Sequence, residues 1–68
     1  MRFRIKVGII GYGYMGQIRA RNIQAHHAME LSGISDPSRS AEIQSLNVPV
    51  YDNWQDLVNA NIDAVIVC

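Results

Sequence analysis

Gly11, Gly13 and Gly16 follow directly on the apolar run Ile5-Lys6-Val7-Gly8-Ile9-Ile10, and no other feature of the chain narrows its fold so far. The run is short, rich in β-branched residues and apolar on both faces of a period-2 pattern, which predicts a strand covered on both sides in a parallel sheet. From Tyr14 the period changes. Gly16, Ala20 and Ile23 fall at i, i+4 and i+7 on one face, while Gln17, Arg19, Arg21, Asn22 and Gln24 turn mostly to water, so a helix is expected to about His26. A G-x-G-x-x-G turn between strand and helix gives each glycine a separate job. Gly11 makes the tight turn off the strand, Gly13 lets the backbone approach an anion, and Gly16 lets the helix pack close to the strand. The helix that starts there aims its unpaired N–H groups and the positive end of its dipole at that anion, a dinucleotide pyrophosphate.

Met29 to Ser35 alternates loosely, with Met29, Leu31 and Gly33 on one side and Glu30, Ser32 and Ile34 on the other, and reads as a second strand. It ends at Asp36, twenty positions beyond Gly16, where a dinucleotide fingerprint places an acidic side chain on the adenosine ribose. Asp36-Pro37-Ser38 is also good turn chemistry; the glycines before it favour the ribose role. A carboxylate there hydrogen-bonds a free 2′-hydroxyl and repels a 2′-phosphate, which favours NAD. Arg39 close behind could neutralise such a phosphate, which keeps NADP open.

Ser38 to Leu46 reads as a short helix with Ala41, Ile43 and Leu46 as its apolar members and Asn47 as a left-handed cap. Val48 to Tyr51 is a brief third strand, placed at a sheet edge because Pro49 cannot donate a ladder bond. Asp52 with Gln55 three residues later suggests a capping box that opens a helix to about Ala60, with Trp54 packing it onto the sheet. Ala64 to Cys68 is a continuous apolar run of the buried-strand type. Alternating strands and helices with short connections predict an α/β, doubly wound parallel sheet, β-α-β-α-β-α-β, in the order 3-2-1-4. The cofactor crevice would then lie between the first and fourth strands. Left at an edge, Val65, Ile66 and Val67 would expose apolar surface and unpaired backbone groups, which points to a longer chain or a partner.

Composition trims the alternatives. Six basic and six acidic side chains cancel, against a nucleic-acid partner. No segment approaches the roughly 18 apolar residues of a membrane span. The single cysteine, Cys68, excludes an internal disulfide and fits a reducing, cytoplasmic compartment. His26 and His27 sit at a helix end with no Cys, Asp or Glu at ligand spacing, so they read as cap-region residues and no metal site is expected.

With the glycine turn, Asp36-Pro37, the segment Val48-Pro49-Val50-Tyr51 and the later Ile62-Asp63-Ala64-Val65 in hand, the sequence resembles a known group. It is similar to the N-terminal cofactor domain of the Gfo/Idh/MocA oxidoreductases, named for glucose-fructose oxidoreductase, inositol dehydrogenase and a rhizopine-catabolism protein. Members bind NAD or NADP and oxidise or reduce hydroxyl and carbonyl groups, commonly on sugars, cyclitols or their derivatives. The resemblance implies Gly11, Gly13 and Gly16 at the pyrophosphate turn, Tyr14 and Met15 as its backbone amides, and Asp36 at the ribose. Two departures stand out: the segment from Asp36 to Asn47 is about one helical turn shorter than usual, and Arg19 stands where many relatives have histidine. The resemblance also implies that the catalytic lysine, histidine and aspartate lie beyond Cys68. Residues 1–68 are therefore expected to be the N-terminal part of a dinucleotide-binding domain, not catalytic alone, from a parent that takes a small-molecule substrate and forms a homo-oligomer. The alternative is a stand-alone nucleotide-binding or self-assembling module that uses its last strand.

Overall fold

The structure, a computed structural model, describes residues 3–38 and 41–68. Seven elements alternate: β1 (Ile5–Ile10), α1 (Tyr14–Ala25), β2 (Met29–Ser35), α2 (Ala41–Ser45), β3 (Val50–Tyr51), α3 (Trp54–Val58) and β4 (Ala64–Val67). The strands form one parallel sheet in the order β3-β2-β1-β4, a partial Rossmann arrangement. Pro49 precedes the edge strand β3, and its carbonyl still serves the sheet by accepting the amide of Ile34 at 3.0 Å. Asn47 takes a left-handed conformation (φ 61°), closing the α2 segment as its residue type suggests.

Strand alternation divides the core between the two faces of the sheet. Val7 and Ile9 of β1 and Leu31 and Ile34 of β2 pack with Ala20 and Ile23 of α1 and Ile43 of α2. Gly8 lies between Val7 and Ile9 and so faces the other way. That opposite face belongs to α3, whose Leu57 is fully buried. A Cβ on Gly8 would lie 2.9 Å from Leu57 Cδ1, and one on Gly33 2.8 Å from the same atom. Two bare positions on adjacent strands thus form the slot that Leu57 fills.

The slot depends on an irregularity that simple alternation does not anticipate. Val7 pairs with Leu31 but Gly8 pairs with Gly33, so Ser32 is an extra residue in β2. The bulge inverts the alternation: Leu31 and Ile34 share the α1 face, and Gly33 turns to α3 rather than siding with Leu31.

Two local expectations are corrected at α3. Its N-cap is Asn53, whose Oδ1 accepts the amide of Asp56 at 3.0 Å, one residue later than the expected start at Asp52. Trp54 is 51% exposed, and Leu57 performs the packing instead. β3 is also shorter than the sequence suggests, since Val48 and Pro49 lie outside it, and part of the helix expected over Ser38 to Leu46 lies outside the described residues. At the other edge β4 leaves Val65 37% and Val67 73% exposed, because only its β1 side is paired.

Candidate functional site

The turn between β1 and α1 is defined by three glycines with three different surroundings. Gly11 has φ 91°, in the left-handed region where only glycine is unstrained, and a Cβ there would lie 2.6 Å from the carbonyl oxygen of Cys68. Gly16 passes so close to the carbonyl oxygen of Gly11 that a side chain would collide with it, so the first turn of α1 lies directly on the end of β1. Gly13 is different: its φ of −79° is open to any residue, and a Cβ there would meet nothing within 4 Å. Neither backbone nor packing requires glycine at Gly13. What its missing Cβ leaves is open space against the helix N-terminus.

Gly13 is also the N-cap of α1, with no side-chain cap bond, and its carbonyl accepts the first helical bond from Gln17 at 3.0 Å. The amides of Tyr14, Met15 and Gly16 belong to the first turn, where an α-helix has no partner for them. The side chains of Tyr14 and Met15 are 77% and 46% exposed. No acidic residue stands in that first turn to occupy the positive end of the helix dipole.

Asp36 reaches this turn through sheet register. Ile10 pairs with Ser35, so the residues just beyond them, Gly11 and Asp36, emerge side by side at the carboxyl ends of β1 and β2. Gly11 N–H donates to the Ser35 carbonyl at 2.8 Å, and Tyr12 N–H donates to Asp36 Oδ2 at 2.7 Å. Ser38 N–H donates to Asp36 Oδ1 at 2.8 Å. Burial alone would raise the pKa of Asp36, but the amide of Ser38, the amide of Tyr12 and the Ser38 side chain outweigh it and hold the carboxyl below its ordinary value. The group is therefore an anion at neutral pH.

The structure thus brings Gly11, Gly13, Tyr14, Met15, Gly16 and Asp36 to one end of the sheet. Arg39 lies outside the described residues. Sequence reasoning missed Tyr12, whose amide ties the turn to Asp36; only the register of β1 against β2 signals that contact. Cys68 completes the outline, its amide donating to the Ile10 carbonyl at 2.9 Å. The strand order reverses direction between β1 and β4, and the carboxyl ends of such strands form the crevice in which open α/β sheets bind ligands. A shallow cavity of about 200 Å³ lined by Val58, Ile62, Asp63, Ala64 and Val65 includes none of the turn residues and lies by the start of β4. Among the described residues no group of three His, Cys, Asp or Glu side chains is placed to hold a metal ion, and no helix is long and apolar enough to cross a membrane.

The family model of the Gfo/Idh/MocA oxidoreductases, described as an oxidoreductase family with an NAD-binding Rossmann fold, matches residues 5–68. The chain belongs to the Gfo/Idh/MocA family. Its match to that family covers every element from β1 to β4. Solved structures agree. A scyllo-inositol dehydrogenase from Lactobacillus casei, with bound NAD(H) and scyllo-inositol, is 34% identical over 94% of this chain, with a TM-score of 0.82. The apo form of that enzyme covers the whole chain at 33% identity and a TM-score of 0.86. A myo-inositol 2-dehydrogenase from Lactobacillus plantarum is 25% identical over 94% of the chain, with a TM-score of 0.80. No curated protein matches the chain. The Gfo/Idh/MocA segment seen here spans only 21–22% of the length of these dehydrogenase structures.

As a Gfo/Idh/MocA cofactor domain the chain is an NAD-binding Rossmann unit. The residues present fit that group: open space at Gly13 against an uncapped helix N-terminus suits a diphosphate, and an ionised carboxylate one strand away suits a ribose.

Proposed function

We propose that residues 1–68 form the N-terminal part of the NAD-binding domain of an oxidoreductase, and that the turn from Gly11 to Gly16 holds the cofactor diphosphate. In this reading the amides of Tyr14, Met15 and Gly16 donate to the diphosphate, Gly13 gives it room, and Asp36 accepts the hydroxyls of the adenosine ribose. The observation that supports it is the 2.7 Å bond from Tyr12 N–H to Asp36 Oδ2, which holds this carboxylate beside the glycine turn. An anionic Asp36 repels a 2′-phosphate, which supports NAD over NADP.

The nicotinamide supplies the hydride chemistry, and the parent protein is proposed to use it on a hydroxyl or carbonyl of a sugar, cyclitol or related polyol, as the named activities of the inositol dehydrogenases suggest. The residues of this chain bind and orient; no proton-transfer or nucleophilic role falls to them. Calorimetric titration of the 68-residue chain with NAD and with NADP tests the reading. NAD binding that is stronger than NADP binding and is lost in Gly13→Val is the expected result, and a folded chain that binds neither nucleotide would refute it.

One observation favours a second reading. β4 is an edge strand with Val67 73% exposed, a surface suited to assembly with another copy. Under that reading the chain is a self-assembling nucleotide-binding module, and a stable symmetric oligomer that binds NAD in size-exclusion chromatography would support it.

A further inference from the structure

The turn that receives the diphosphate is poorly defined by its own residues. Gly11 has the conformational freedom of glycine, and Gly13 meets nothing around its Cβ position. Between them lies Tyr12. Its side chain packs against the core cluster, and its amide donates to Asp36, 24 residues away in sequence. Together with the Gly11 amide on the Ser35 carbonyl, that bond ties the turn to β2 before α1 begins. Asp36 is itself fixed from the other side, because its second oxygen accepts the Ser38 amide.

We propose that Asp36 is a positioning residue for the diphosphate turn: by accepting the Tyr12 N–H it sets the direction of the amides that follow, in addition to holding the ribose. The inference rests on the functional reading above and deepens it. A carboxylate has about four acceptor positions, so the bonds from Tyr12 and Ser38 leave outward lone pairs for a sugar. The bond to Tyr12 is charge-assisted, the stronger class of hydrogen bond, and it acts on the one non-glycine residue between Gly11 and Gly13. Its effect is preorganisation, since a turn already fixed loses less freedom on binding.

The idea separates cleanly from plain electrostatics. Inorganic pyrophosphate reaches the turn but has no ribose for Asp36 to hold. Removing a nearby negative charge should by itself tighten pyrophosphate binding, whereas removing the strut should weaken it. The experiment is titration of the wild-type chain and of Asp36→Ala, which has no oxygen to accept the Tyr12 amide, with NAD, adenosine and pyrophosphate, alongside hydrogen exchange at the Tyr12 and Gly13 amides. Support would be pyrophosphate binding weakened by about 10-fold in Asp36→Ala, the scale expected of one lost charged hydrogen bond, with the Tyr12 amide losing protection. Pyrophosphate binding that is unchanged or tighter in a folded Asp36→Ala, with adenosine binding weakened, overturns the positioning role while leaving the ribose role intact.

Wild-type chain that binds NAD but not pyrophosphate also overturns it, and wild-type chain that binds neither overturns the functional reading with it. Should Asp36→Ala fail to fold, the wild-type exchange decides. A Tyr12 amide protected in the free chain and slowed further by pyrophosphate supports the strut, and an unprotected one removes it.

Discussion

Gly16 stands against the carbonyl oxygen of Gly11, while Gly13, midway along the same turn, has no atom beyond its chain neighbours within 4 Å of where its side chain would begin. The two positions should therefore respond oppositely to the same small change. Gly16→Ala drives a methyl group into backbone that has no rotamer to yield, and a loss of about 1–3 kcal/mol is expected in urea unfolding. Gly13→Ala should leave stability within about 0.5 kcal/mol, the range of surface substitutions, and weaken NAD binding. Equal stability losses at both positions would show that Gly13 is needed for the fold instead.

Leu57 fills the slot between Gly8 and Gly33, so these residues should be energetically coupled. Leu57→Ala empties a fully buried site and should cost about 2–5 kcal/mol. Gly33→Ala overfills the slot and should cost about 1–3 kcal/mol in the wild-type background but clearly less when Leu57 is already alanine. Strictly additive unfolding free energies in the four-protein cycle would mean that the two side chains do not share the space.

Acid should weaken the fold partly through Asp36. Its folded pKa lies below the ordinary 3.8, so between the two values the unfolded chain binds more protons than the folded one. The contribution is therefore complete above that ordinary value and is lost as pH falls through the folded one. Urea midpoints from about pH 5 down to about pH 3 should fall more steeply for wild type than for Asp36→Asn. Parallel slopes would place the acid sensitivity in other carboxylates.

Asn53, not Asp52, caps α3 through the amide of Asp56. Asn53→Ala should cost about 1 kcal/mol, the usual effect of losing such a cap, and Asn53→Asp should retain most of it. Thermal melts of the two variants decide the matter, and indistinguishable losses would argue against a side-chain cap.

The amino-acid sequence by itself determined the order of elements, the boundaries of β1 and β2, the buried stripe Gly16, Ala20 and Ile23, the sheet order and the place of the glycine turn between β1 and α1. Those features follow from short-range causes: hydrophobic period, backbone freedom at glycine and the handedness of crossovers. Tertiary structure alone decided what long-range contact controls. The Ser32 bulge sent Gly33 to the α3 face, the pairing of Ile10 with Ser35 delivered the Asp36 carboxylate to the Tyr12 amide, and Leu57 rather than Trp54 became the residue that holds α3 to the sheet. Register and burial depend on which distant residue occupies the neighbouring space, and one extra residue in a strand inverts every face after it.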